Sequence, residues 1–228
     1  MKQWRRYVVA AATSLALVAC GGGGSDSVMS VDGSGNSNFD SAVLAATLNT
    51  MSYETPSAVE VASLTFMREE EKLAQDVYAA LDAQWGSATK TFGNISNSEA
   101  THTEAVRLLL ARYELADPAA DQAAGSFQNT DLQALYTELV GAGSPSLVAA
   151  LQVGVEIEEL DIHDIQADID EGVDNADIIM VYENLLKGSR NHLRAYYKAL
   201  QKAGGSYTPQ HITQEAFDEI VNSATERG

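Results

Sequence analysis

The chain of 228 residues holds a single cysteine, Cys20, so no intramolecular disulfide framework and no Cys-x-x-Cys electron-transfer or zinc motif can be built from it. Basic residues are scarce: 14 Lys and Arg stand against 32 Asp and Glu, a formal net charge of −18. That balance repels phosphate backbones and anionic lipid surfaces, which argues against nucleic acid as a partner. Prolines number four, at Pro56, Pro118, Pro145 and Pro209, and none falls inside an apolar periodicity. Strand signals are missing too, with no sustained alternation and no Asn-Gly hairpin turn. The longest apolar run, Tyr7–Ala19, is shorter than the ~20 residues that span a bilayer.

That run follows Lys2, Arg5 and Arg6 and ends at Leu17-Val18-Ala19-Cys20, the layout of a secretory signal closed by a sequence that resembles a bacterial lipobox. The expectation is a signal peptide over 1–19, lipidation of Cys20, and a mature chain anchored in the bacterial cell envelope facing out of the cytoplasm. Gly21 after the cysteine points to the outer membrane where a cell has one. Removing Lys2, Arg5 and Arg6 with the signal takes the net charge from −18 to −21. Residues 20–57, rich in Gly, Ser, Asn and Asp in their first half, read as a flexible tether, with the short apolar piece Ala42–Leu48 able to dock. The remainder, 58–226, is long enough for one domain with a proper core.

Within it the apolar periodicity predicts helices over about Val59–Trp85, Asn97–Tyr113, Ser144–Glu171 and Asn175–Ala203, with a short helix near Asp131–Val140 and another over Thr213–Ala224. Ser96 and Glu99 stand in capping-box spacing at the expected start of the second helix. Each long helix carries a seam stepping by three and four, which predicts an all-α, four-helix bundle. The first and last pairs are hairpins; the long link between the second and third helices, Glu114–Ser144, is a crossover.

The seams are interrupted by polar residues. Glu71, Glu99, His102, Glu158 and His192 stand where Leu, Ile, Val, Met and Ala otherwise stand, and Asp161 lies just off the seam, three residues after Glu158. A lone buried carboxylate costs several kcal/mol, so inward carboxylates are paired or bound to metal. Four carboxylates with two imidazoles suit iron, or manganese, better than structural zinc. A pair of ions is expected, a single ion being the alternative. A lone Glu-x-x-His is weak evidence, and Glu99 can equally be a first-turn cap. Glu69, Glu70, Glu156 and Glu159 read as solvated face charges, His163 as a rim residue and His211 as part of the Pro209 turn. Tyr78 and Tyr113 read as core, with Tyr78 able to orient Glu71. Arg190 and Arg194 either pair with inner carboxylates or lie outside.

The segments EEEKLAQDVY (69–78), NISNSEATH (94–102), VGVEIEELDIHDI (153–165) and NLLKGSRNHLRAY (184–196) resemble the ferritin-like superfamily, and within it an uncharacterised bacterial and archaeal family. Glu71-x-x-Ala74-x-x-x-Tyr78 and Glu99-x-x-His102 are similar to helix signatures of rubrerythrins. The resemblance implies a di-iron carboxylate centre that reacts with dioxygen or peroxide, supplied with electrons by an external donor. It departs from the pattern at Ser189, three residues before His192, where rubrerythrin-like chains carry a second glutamate. Asp161 or Glu159 would have to make up that carboxylate. Binding without turnover, as storage or structure, is the competing expectation.

Overall fold

Why the chain forms a bundle is visible at the two ends of its first long helix. In the computed structural model, which describes residues 27–227, α2 spans Ala58–Trp85 and begins with a capping box between Ser57 and Glu60. The Glu60 carboxylate also accepts the Asn175 and Asp174 backbone N–H groups, at 2.8 and 3.2 Å. That contact ties the start of α2 to the start of α6, Ala176–Lys202. At the other end, the Trp85 indole N–H donates to the Gly143 carbonyl and Gln84 to that of Ser144, which places the start of α5, Leu147–Glu171, beside the end of α2. Between them α3, Thr91–Arg112, runs back down and delivers Tyr113 to Asp177 at the start of α6. Taking α2 as up, α3 and α5 run down and α6 up, and the segment 113–146 returns the chain along the bundle. Among the described residues the protein is an all-α helical bundle, and α2 packs most extensively on α3, as α5 does on α6.

The returning segment carries α4, Thr130–Gly143, against α2 and α5 and is fastened to the outer face of α2. The Arg68 guanidinium forks onto Asp117, and the Lys72 ammonium meets Asp76 and the carbonyls of Ala123 and Ser126. Glu69 accepts the Gln128 and Asn129 N–H groups at 2.5 and 3.0 Å. Glu69 is therefore buried, not solvated. A single-helix seam marks only the face toward the bundle axis, and the crossover covers the face behind it.

α3 begins six residues before the expected Asn97, and its cap, Lys90, makes no side-chain capping hydrogen bond, its ammonium donating back to the Gly86 carbonyl instead. The Ser96–Glu99 capping box does not form; Ser96 donates to the Gln75 carbonyl from inside the helix. Packing overrides the weak helix propensity of Thr91-Phe92-Gly93: Phe92 is fully buried, and a Cβ on Gly93 would lie 2.9 Å from the Asp82 carboxylate. A final short helix α7, Gln214–Asn222, lies against α6, joined by a link that contributes Tyr207.

The N-terminal segment corrects two expectations. Strands β1, Met29–Val31, and β2, Ser37–Phe39, pair antiparallel, and α1, Ser41–Thr50, follows behind an Asp40 cap. Met29, Phe39, Leu44 and Leu48 are buried in the common core, and α1 packs on α3 as the docking of Ala42–Leu48 anticipates. From Val28 onward the segment is folded onto the bundle, so the tether reading fails there: a few well-spaced apolar anchors outweigh a composition that is mostly Gly, Ser and Asn. The signal peptide, Cys20 and the first part of the tether lie outside the described residues.

Candidate metal centre

Three side chains from two helices meet at the bundle's middle. Glu99 and His102, spaced i, i+3 on α3, leave the same helix face, and His192 enters from α6. Ligand atoms of the three lie within 4.8 Å of one another, and all three residues are at most 2 % exposed. Glu99 sits between the two imidazoles: Oε2 is 2.8 Å from His102 Nδ1 and Oε1 is 2.7 Å from His192 Nδ1. On the outer side of each ring stands a second carboxylate, Glu71 from α2 at 3.5 Å from His102 Nδ1 and Glu158 from α5 at 3.5 Å from His192 Nδ1. The rings stack nearly parallel, centroids 5.3 Å apart and 17° between planes. The arrangement has two matching halves, Glu71–His102 and Glu158–His192, sharing Glu99.

The atoms that face inward are short of hydrogen-bond partners. Both Nδ1 atoms, Glu71 Oε1 and Asp161 Oδ1 are buried without one. Orphaned buried polar atoms are rare and need a reason. A cation between them supplies one, since each is a lone-pair donor of a kind that binds iron or manganese. The residues therefore fit a metal. Asp161, on α5, lies on the side where the sequence lacks a glutamate: Ser189 donates to Asp161 Oδ2, leaving Oδ1 orphaned and the side chain within the field of Glu71, Glu158 and Glu99. Glu159 takes no part. It is fully buried on the other side of α5, where it accepts the Tyr207 hydroxyl and the backbone N–H groups of Gln210, His211 and Ile212. It holds the link before α7, and its reading as a solvated charge is corrected.

Electrostatics follow from burial. Desolvation pushes the Glu71 carboxyl up to about 7, against the pull of His102, and also raises Glu158 and Asp161. Burial opposes charging either imidazole, yet the flanking carboxylates outweigh it: His102 lies well above the ordinary histidine value and His192 at about 9. Glu99 is held well below the carboxylate range by the two imidazoles, despite its burial. Without a cation, then, the flanking carboxylates favour the charged form of both imidazoles, and burial favours the protonated form of Glu71, Glu158 and Asp161. Among the described residues the ion pairs of Arg68, Lys72, Arg112, Arg190 and Arg194 are with Asp117, Asp76, Asp177 and Glu226, none of them an inner carboxylate. Arg190 and Arg194 thus belong outside, on Glu226.

Around this core the sequence reading missed several residues. Tyr78 donates to Glu158 Oε1 at 2.6 Å, not to Glu71. Glu70 is 4 % exposed with neither oxygen hydrogen-bonded, its pKa raised well above normal by burial and by Asp164, Asp161 and Glu71. Tyr113, in the core as expected, donates to Asp177. His163 is half-buried beside Asp164, and His211 is half-buried in the link after Pro209. Behind the rings lies a hydroxyl pair. Ser37 Oγ is 2.8 Å from His102 Nε2 and 3.1 Å from His192 Nε2, and Ser98 Oγ is 2.9 Å from His192 Nε2. Ser98 had a legible position, one turn before His102 on the same helix; Ser37 had none.

Fold and site together define a class: an all-α bundle with a buried Glu/His/His group at its centre that can hold a metal ion. The chain belongs to the family described as "Uncharacterized protein domain (DUF2202)", which matches residues 60–224. It is 48% identical over 172 residues to the uncharacterized protein MJ0754 of Methanocaldococcus jannaschii, covering 75% of this chain and 91% of the relative. The crystal structure of the hypothetical protein MJ0754 from Methanococcus jannaschii superposes with a TM-score of 0.75 at 46% identity, over 78% of this chain and 99% of that one. All six predicted ligands fall within the matched residues; Ser37 precedes them.

Proposed function

We propose that the protein binds iron, two ions per chain, in this centre, and that Glu99, His102 and His192, with Glu71 and Glu158 beside them, would hold it. The observation that carries the reading is the convergence of two buried imidazole Nδ1 atoms on opposite oxygens of one buried carboxylate, at 2.8 and 2.7 Å. Asp161 supplies the carboxylate that Ser189 does not. Bound iron would supply electron transfer to dioxygen or peroxide, the chemistry that the resemblance to ferritin-like proteins implies. The chain's own residues hold the ligands, exclude bulk water and, through Tyr78, present an O–H to Glu158. With one cysteine in the chain, reducing equivalents come from an external donor. The basic, apolar and lipobox-like segments before Cys20 support a lipid-anchored location at the cell envelope, facing outward, in the outer membrane of a two-membrane cell.

Reconstitution of residues 21–228 with Fe(II) under argon tests the reading. Two ions per chain and an oxo-bridge absorption after admitting air are the expected result. Stoichiometric metal with no consumption of dioxygen or peroxide would make the centre a storage or structural site, and no bound metal would overturn the proposal.

A further inference from the structure

The β1–β2 hairpin reaches the centre from outside the family segment, and Ser37, the first residue of β2, is the part of it that enters. Ser37 is fully buried and touches both imidazoles, at 2.8 Å to His102 Nε2 and 3.1 Å to His192 Nε2. Its N–H donates to Ser98 Oγ at 3.1 Å, and the Ser98 hydroxyl donates back to the Ser37 carbonyl. Two residues on, the Phe39 N–H donates to Thr101 Oγ1 at 3.0 Å, and the Phe39 ring meets His102 edge-on at 5.7 Å. The bundle leaves room for this intrusion at Gly188 of α6, where a Cβ would lie 2.6 Å from both His102 Cε1 and Ser37 Oγ. The metal-facing edges of the rings are thus set by the carboxylates, and the opposite edges by Ser37 at both rings, with Ser98 of α3 beside it at His192.

We propose that the hairpin is the gate of the metal centre and that Ser37 is a positioning residue for both histidines. The inference rests on the metal reading for what passes the gate, but the covering of the histidines stands apart from it. A two-stranded hairpin with three-residue strands is marginal by itself and is held here by a few contacts. Undocking it frees the Nε2 edge of His102 and leaves that of His192 with Ser98 alone, while all four long helices stay packed. Opening the bundle instead would break the core along its whole length, so the hairpin is the cheaper opening. Cations then enter from the side of β2, and reclosure returns Ser37 to the ring edges and turns Nδ1 of each histidine to the carboxylates.

The test uses residues 21–228, the same chain with Ser37→Ala or Ser37→Thr, and a chain lacking 21–40. Diethyl pyrocarbonate, which modifies accessible imidazoles, is read at each histidine by mass spectrometry without any metal present. Expected are protection of His102 and His192 relative to His163 and His211 in the parent, labelling about tenfold faster in the shortened chain, and a several-fold rise in Ser37→Ala, which loses the hydroxyl contacts alone. Co(II) then serves as the metal probe. Its visible band is expected to shift in Ser37→Ala, chelator removal to quicken about tenfold, and Ser37→Thr to behave as the parent. Unchanged labelling of both histidines in Ser37→Ala and in a folded shortened chain overturns the gate. An unchanged Co(II) band in Ser37→Ala overturns the positioning role. A parent that takes up no Co(II) and no Fe(II) refutes the metal reading, and the labelling result still decides the gate.

Discussion

Glu99 stands between two imidazoles that would otherwise be near neighbours, and removing it uncouples both halves of the centre. Glu99→Ala is expected to lower bound iron from about two ions per chain to below one, measured by elemental analysis after desalting. Asp161→Asn should weaken binding as well, and more than Ser189→Ala, because the serine only holds the carboxylate while its other oxygen, Oδ1, is buried without a partner. The pH response has a definite sign in metal-free protein. Glu71, raised from 4.5 to about 7, binds its proton more tightly folded than unfolded, so its contribution is complete below 4.5 and disappears as pH rises through 7. His192, raised from 6.5 to about 9, contributes fully below 6.5 and loses that contribution as pH rises through 9. Both act in one direction. The chelated protein should lose roughly 5 °C or more in Tm between pH 5 and pH 9 by differential scanning fluorimetry. Metal competes with the same protons, so iron affinity should rise across that window.

At the scale of elements, the four long helices were legible because apolar residues recur at three and four in each, and the polar interruptions marked the centre for the same reason. Glu71, Glu158 and His192 could be read as inward from their seams alone. The start of α3 could not, because Phe92 and Gly93 gain from tertiary packing what they lack in propensity. Glu69 and Glu159 were misread, since what buries them is the crossover and the link before α7, neither of which leaves a trace in the helix's own period. Ser37 was invisible: a small polar residue in a small polar stretch, placed by Met29 and Phe39 on either side of the hairpin. Gly188 records the hairpin's position on the partner element. Gly188→Ala should destabilise the protein by about 1–3 kcal/mol in urea titration, by overpacking against His102 and Ser37, and should reduce metal content at the same time. A comparable Gly141→Ala, where a Cβ meets nothing within 4 Å, should do neither and serves as the control.

For the whole molecule the charge is the first consequence, since a formal −18 concentrates cations near a surface whose interior can take them. Bound metal should stabilise the fold by mass action: at a free ion concentration near 100 times Kd the gain is about 2.7 kcal/mol, seen as a Tm difference with and without chelator. The topology has a further effect, on the order of events. The ligands come one or two to a helix, and Ser37 and His192, which touch through Nε2, are 155 residues apart in the chain. No fragment ending before α6 contains both imidazoles, and no fragment lacking the crossover can set α3 and α5 running in the same direction across the bundle. Closing loops of that length is slow, so helix formation should precede high-affinity metal capture by a measurable lag in refolding experiments. Because of the crossover, metal uptake at the proposed centre would act as an inspection of the finished chain: a truncated or misthreaded copy would form helices and go without metal.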